Sequence, residues 1–403
     1  MKISDRLSKI QPSLTLAVSA KAARLRAQGV DVIAFGVGEP DFDTPAHIKD
    51  AAARAMERGV GKYTPVAGTL DLRAAAAAEL NAAHGTRHAA EDVIVSVGAK
   101  HSLYNLFMAM LDDGDEVVIP TPCWVSYPEM VTMAGGRPVM VETRPDADYQ
   151  LDEGALRRAV GPRTRAIVIN SPCNPTGAVY GVESLEALGR VVADHPSLFV
   201  ITDDIYRRLT YGVEWRSLAR VRPDLAERCI LIDGVSKSYA MTGWRIGFCA
   251  GPRELVRAME TLQGQSTTNP AAIAQAAALA ALTGPQESVG TMHAEFDRRR
   301  RVMVERLRAI PGVELVEPRG AFYCFPDLSK LMSEYSLIND VALAEWILER
   351  GRVAVVPGSG FLAPGFARLS YATSMKNVEE GVARIAGALA QLAERTERAE
   401  HKR

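Results

Sequence analysis

The sequence SKSYAMTGWRIG, Ser236 to Gly247, is flanked by two short apolar runs, Ile230–Ile232 and Ile246–Ala250. Runs this continuously apolar are what strands covered on both faces require. Outward from this stretch the same texture repeats. Val93–Val97, Val117–Ile119, Val139–Val141, Ala166–Ile169 and Leu198–Thr202 read as further short strands. Amphipathic helices lie between several of them. One carries the stripe Leu103, Leu106, Phe107, Met110 and Leu111, and another carries Leu185, Leu188 and Val192. Short buried strands alternating with helices predict an α/β fold with a large, mostly parallel sheet.

The last hundred residues change character. Val289, Met292, Phe296, Met303, Leu307 and Ile310 predict one long helix, and Val378, Ile385, Leu389 and Leu392 predict another. Between them Gly320–Phe325 and Val353–Val356 read as strands of a smaller α+β unit. The run Arg298–Arg301 falls inside the first helix and reads as a solvated face. The polar end ERTERAEHKR, after Leu392, is expected to fray.

Composition narrows the function classes. The 403 residues are 47% hydrophobic and 24% charged, so the chain is globular and long enough for more than one domain. Lys and Arg total 47 against 48 Asp and Glu, without the basic excess of a nucleic-acid binder. No apolar run approaches the roughly 18 residues of a membrane span. The start, MKISDRLSKIQPS, lacks a secretory h-region. Cys123, Cys173, Cys229, Cys249 and Cys324 are odd in number and widely spaced, which predicts free thiols in a reducing cytoplasm. His84 and His88 stand at helical spacing without the Glu of a zinc motif; they read as surface residues, and no metal is expected.

The chemistry starts at Lys237 and Arg245. Lysine is the side chain that forms Schiff bases, and arginine is suited to hold a phosphate. Together they suggest pyridoxal phosphate, an aldehyde that carries a phosphate. SVGAKHS, Ser96 to Ser102, places Gly98, Ala99 and Lys100 between a strand and a helix, where free backbone N–H groups make an anion site. Gly36 and Gly38 lack the third glycine of a dinucleotide fingerprint, which argues against a nicotinamide enzyme.

With these motifs the chain resembles the class I aminotransferases among the pyridoxal-phosphate enzymes, and closely the bacterial aspartate aminotransferase subgroup. The match runs from Gly38 to Arg368. The resemblance implies a fold type I transferase with a large domain over residues 46–285. Residues 1–45 and 286–403, the two chain ends, would build a smaller one. Lys237 would form the Schiff base and then shuttle the substrate proton. The amides of residues 98–100, Ser236 and Arg245 would receive the phosphate, joined by Tyr63, in GKYTP, from the other subunit of a homodimer. Asp203, in TDDIY, would keep the pyridine nitrogen protonated. Tyr206, and Asn174 in NSPCNPTG, would donate to the phenolic oxygen, and Trp124, in PCWVSYP, would stack on the ring.

For the substrate, Arg368 in RLSYA and the backbone of Gly38 would take the α-carboxylate, with Trp124 and Asn174 beside it. Lys100 would meet the distal carboxylate of an acidic substrate, and Thr15 matches a position associated with prephenate acceptance. Two positions depart from the pattern: Asp204 replaces a common Glu, and Gly234 stands where many members carry a phosphate-contacting Ser. The implied activity is amino transfer from aspartate to 2-oxoglutarate, or with prephenate as a second acceptor, in a cytoplasmic enzyme. Its partners would be amino acids and 2-oxo acids, without nucleic acid or membrane. A C–S lyase or a cyclopropane-carboxylate synthase shares the same lysine, aspartate and arginine motifs. A regulator that carries an aminotransferase domain would need a DNA-binding module ahead of it, yet here the pattern starts within the first 40 residues.

Overall fold

The structure, a computed structural model, describes residues 2–335 and 337–400, the side chains of Arg6 and 396–400 apart. Its centre is a seven-stranded sheet. The strands are β1 (Val93–Val97), β2 (Glu116–Thr121), β3 (Arg137–Glu142), β4 (Thr164–Asn170), β5 (Phe199–Asp203), β6 (Cys229–Gly234) and β7 (Ile246–Ala250), in the order β1-β7-β6-β5-β4-β2-β3. Every predicted strand of the large sheet is present. The pairs among β2 to β6 are parallel, and β7 alone runs against both its neighbours. The reason is the connection. Between β6 and β7 the chain forms only a short 3-10 turn, Thr242–Trp244, whereas a parallel return needs a crossover of a dozen residues or more.

Period-two burial explains the continuous apolar runs. Val93, Val95, Ile167 and Ile169 pack to one side with Leu72 and Leu80 of α1 (Leu70–His84) and with Leu185 and Leu188 of α3 (Val182–Ala193). Ile94, Ala166 and Val168 pack to the other side, against Leu103, Leu106 and Phe107 of α2 (Ala99–Met110). Each strand thus feeds two cores.

A second unit packs around α4 (Glu287–Arg308) and α5 (Met375–Glu400), with Phe296, Phe322, Tyr323, Tyr371 and Ile385 buried between them. Its sheet is small: β8 (Tyr323–Cys324), β9 (Val356–Pro357) and β10 (Ala367–Ser370) pair antiparallel in the order β9-β10-β8. The expected strand Val353–Val356 is divided. Val353–Ala354 pairs parallel with Ile33–Ala34 near the chain start, and Val356 turns to β10. The helix α5 continues through Glu400 rather than ending near Leu392; the last three residues of the expected fraying end lie outside the described residues.

Two surface readings are corrected. His84 is fully buried, its ring 5.2 Å edge-on from Trp215. In the run Arg298–Arg301 the outer two side chains are exposed, but Arg299 and Arg300 are buried. They fall at helical spacing between Phe296 and Met303, on the face that α4 turns inward. No helix among the described residues is long and apolar enough to cross a membrane.

Candidate active site

The register of the sheet brings five chain segments to one edge. Asn170 at the end of β4 pairs with Asp203 at the end of β5, Gly234 at the end of β6 pairs with Gly247, and Val97 at the end of β1 pairs with Ile246. Because β7 is antiparallel, its beginning rather than its end lies at this carboxyl edge, where open α/β sheets hold their ligands. A cavity of about 480 Å³ opens there. Of the predicted site residues, Thr15, Gly38, Ala99, Lys100, Trp124, Asn174, Asp203, Tyr206, Ser236, Lys237, Arg245 and Arg368 all line it. Gly98 stands just behind, and Tyr63 does not join them: it is 90% exposed, away from the cavity.

Lys237 reaches in from the connection after β6. Its Nζ donates to the carbonyl of Gly38 at 2.6 Å. Burial, and next the charge of Arg368, push its pKa down to about 8, so a neutral amine is accessible near physiological pH. Asp203 is buried, and its Oδ2 accepts a hydrogen bond from the Tyr127 hydroxyl at 2.5 Å. Burial pushes its pKa up to about 6 against that hydrogen bond, so the carboxylate is ionised at neutral pH. Asn170 ties down the same corner, donating to the Asp203 carbonyl at 2.7 Å and accepting from the Asn174 amide at 2.8 Å.

Across the cavity Arg368 is 2% exposed. It donates to Asn174 Oδ1 and to the Gly36 carbonyl, both at 2.8 Å, over the face of Tyr323 at 4.5 Å. Its Nε is buried without a partner, a donor left for a ligand. Tyr323 in turn shares a 2.8 Å hydrogen bond with the Tyr206 hydroxyl.

Lys100 stands at the start of α2, its Nζ 4.8 Å from the centre of the Trp124 ring. Desolvation, then the nearby charge of Arg245, hold its pKa below the usual lysine range. Gly98 caps this helix at φ 83°, and a β-carbon there would collide with the Arg245 guanidinium. A β-carbon at Gly247 would strike the backbone of Ala99, so both glycines are needed to bring helix start and strand together. At Gly234 a β-carbon would sit 2.9 Å from the Ile246 carbonyl and 3.0 Å from Gly247 Cα. The backbone therefore leaves no room for a serine side chain at that position.

The charged side chains lining the cavity are Lys100, Lys237, Arg245 and Arg368 against Asp203 and Glu39. Four cations facing two carboxylates suit a strongly anionic ligand. The donors also sort by place. The helix start with Ser236 and Arg245 forms one anion corner, and Arg368 with its unpartnered Nε forms a second. The amine of Lys237 and the carboxylate of Asp203 line the same cavity. This arrangement fits a group with a phosphate, a carbonyl carbon and a basic ring nitrogen.

Reading the sequence alone missed Tyr127, Asn170 and Tyr323. Tyr127 lies in the same PCWVSYP motif as Trp124, and Tyr323 lies in the predicted strand Gly320–Phe325. What was lacking was their pairing with Asp203 and Tyr206, which no spacing reveals.

Comparisons with known proteins agree with the geometry. Residues 30–385 match the aminotransferase class I and II family. An aspartate aminotransferase of Geobacillus stearothermophilus is 47% identical over 96% of this chain and 98% of its own length. An aspartate/prephenate aminotransferase of Nitrosomonas europaea is 46% identical over 96% of this chain and all of its own. Among solved structures, the aspartate aminotransferase of Thermus thermophilus with maleate superposes with a TM-score of 0.91, at 47% identity, over 96% of this chain and 100% of that one. By sequence along nearly its whole length and by fold, this chain belongs to the aminotransferase class I and II family.

Proposed function

We propose that the protein transfers the amino group of L-aspartate to 2-oxoglutarate, giving oxaloacetate and L-glutamate, with pyridoxal phosphate as cofactor. The observation that carries this reading is the shared cavity of Lys237, Asp203 and Arg368 in which cations outnumber carboxylates two to one. Lys237 would hold the cofactor's aldehyde carbon. The amides at the start of α2, Ser236 and Arg245 would hold its phosphate, with Tyr63 from a second copy. Asn174 and Tyr206 would reach its phenolic oxygen, and Trp124 would cover its face. When bound, the cofactor supplies an electron sink for the negative charge that develops at the substrate Cα.

This chain's own residues do the rest. Arg368 takes the substrate α-carboxylate, which fixes the Cα–H bond relative to Lys237. The Lys237 amine, with its lowered pKa, takes the proton from Cα and delivers it again as general acid. Asp203, ionised above about pH 6, would keep a proton on the cofactor's ring nitrogen. Its position is set by Tyr127. Lys100 offers the distal carboxylate of a dicarboxylic substrate a cation at the mouth of the cavity. A second reading, a dual aspartate/prephenate enzyme, is supported by Thr15, which lines that mouth, and by the relatives of that name.

We also assign residues 46–285 to a large cofactor domain and residues 1–45 with 286–403 to a small one; one core draws on the first range apart from Val289, and the core around α4 and α5 also takes in Ile205, Tyr206, Leu209, Tyr211 and Ala240. A cytoplasmic homodimer completes the reading, and five buried free cysteines are consistent with that compartment. The test is a pair of half-reactions followed by absorbance. Aspartate should bleach the purified yellow enzyme and 2-oxoglutarate should restore it, with prephenate tried as a second acceptor. An enzyme that aspartate leaves unchanged while another amino acid converts it would refute the donor assignment.

A further inference from the structure

The segment 36–44, GVGEPDFDT, supplies the wall of the cavity between Arg368 and Lys237 through its first four residues. It does so without hydrogen bonds between backbone groups of its own: among the described residues none links any of positions 36–44 to another backbone group. Its carbonyls are nevertheless where both cations rest, Gly36 for Arg368 and Gly38 for Lys237. A loop with that duty and no ladder must be held by side chains. Toward the lysine connection it is held by Glu39, which accepts from Thr242 at 2.9 Å, and by Thr44, which donates to the Ala240 carbonyl at 2.7 Å. Toward α4 it is held by Arg299.

We propose that Arg299 is a positioning residue for the carboxylate-binding wall, gripping Asp41 and Phe42 so that the carbonyls of Gly36 and Gly38 stay in place. Arg299 Nη1 donates to Asp41 Oδ1 at 2.7 Å, and its Nε donates to Glu295 at 2.9 Å. The guanidinium lies 5.1 Å from the Phe42 ring and 5.8 Å from Phe296, and those two rings meet edge-on at 5.3 Å. Only 7% of the Arg299 side chain is exposed, so the ion pair and the stacking escape most screening. Glu295 orients the guanidinium from one turn away on α4, leaving its other edge for Asp41. A lysine has neither the flat face for Phe42 nor two edges for two carboxylates.

This inference rests on the aminotransferase reading of the cavity, and its test separates the two. Binding of maleate, an unreactive dicarboxylate, is measured by calorimetry on the cofactor-loaded protein, beside steady-state kinetics with aspartate. The variants are Arg299→Met, Arg299→Lys and Asp41→Asn, with Arg301→Met as an exposed control on the same helix. Asp41→Asn removes the charge from the loop side of the grip, so a folding defect of α4 cannot imitate it.

Arg299→Met and Asp41→Asn are each expected to weaken maleate and raise KM for aspartate about ten-fold, with kcat changed less than about three-fold, since a small misplacement of a binding wall is costly. Arg299→Lys should recover only part of the loss, and the double variant should be no worse than Arg299→Met. Unchanged maleate binding in both single variants, full rescue by Arg299→Lys, or additive losses in the double variant would each overturn the proposal. Wild-type protein that binds no maleate and converts no aspartate would instead overturn the reading of the cavity.

Discussion

Asp203 and Asp204 are chain neighbours, both almost completely buried, and the sheet edge sends them to different surroundings. Asp203 faces the cavity and receives the Tyr127 hydroxyl. Asp204 lies beside α1, 3.7 Å from His84 Nε2, too far for a hydrogen bond, and its Oδ2 has no partner. Burial raises the pKa of both. The surroundings differ: Asp203, beside the Tyr127 hydroxyl, the Ile205 amide and the charge of Lys237, is raised only to about 6, whereas burial pushes Asp204 well above its ordinary value. His84, held neutral with a pKa of about 3 by burial and then by Arg207, supplies no charge to offset. Nearby, Arg207 is spent on Asp233 and Glu79. Two identical side chains thus meet opposite conditions: Asp203 has donors and a cation that favour its charge, and Asp204 lies where burial favours the protonated form.

The sharpest test of the cavity side is Lys237→Ala. Turnover should fall by at least about 10²–10⁴, the share of general acid–base work alone. Borohydride followed by mass spectrometry should no longer fix the cofactor to the Ser236–Arg245 peptide. Covalent fixation in the variant would place the Schiff base elsewhere.

Next comes the pair itself. Asp203→Ala should reduce kcat by about 10²-fold or more, the scale of removing one preorganised electrostatic partner. Asp204→Asn, which replaces a carboxyl that burial disposes toward its neutral form and that lies outside the cavity lining, should stay within about three-fold of wild type. Comparable losses in the two variants would erase the distinction drawn between them.

A smaller and more selective effect is expected at Lys100. Lys100→Ala should lower kcat/KM for aspartate by about 1–2 kcal/mol and leave alanine nearly unchanged, because the lysine reaches the cavity from an exposed position. Equal losses with both substrates would mean that Lys100 serves the cofactor or the fold.

The smallest effect concerns stability. A carboxyl whose pKa is raised on folding contributes fully below its unfolded value, about 3.9, and that contribution is lost as pH rises toward the folded value. Asparagine has nothing to lose. Asp204→Asn should therefore raise Tm by roughly 1–3 °C at pH 7 and by much less at pH 4. Thermal scans at the two pH values decide it; a variant less stable at pH 7 than wild type would show Asp204 ionised in the fold.

Much of this was legible in the residues. Strands such as Val93–Val97 and Ala166–Ile169 announced themselves because both of their faces are covered, and Lys237, Asp203 and Arg368 stood in motifs tied to one chemistry. The direction of β7 was not legible, since an apolar run reads the same either way. Val353–Val356 looked like one strand because its partner Ile33–Ala34 lies at the other end of the chain. Arg299 and Arg300 looked solvated because four consecutive arginines suggest water. Yet Phe296, Arg299, Arg300 and Met303 share one helical face, and that spacing was the available signal. His84 hid for a different reason: a histidine with no partner in sequence is buried by tertiary packing against Trp215.

The antiparallel course of β7 has a consequence for what the cavity can accept. Lys237 and Arg245 belong to one closed hairpin, fastened at its base by the pairing of Gly234 with Gly247. The span between amine and guanidinium is therefore a chain length, fixed by the residues of that hairpin. Under the function proposed above, with a carbonyl carbon at Lys237 and an anion at Arg245, it would work as a gauge that selects ligands whose two groups match that interval. An inserted or deleted residue between 238 and 244 would recalibrate the gauge without altering any functional group. Change in this protein's ligand range can thus come by single substitutions at Thr15 and Lys100, which line the cavity, and within the hairpin only by a change of its length.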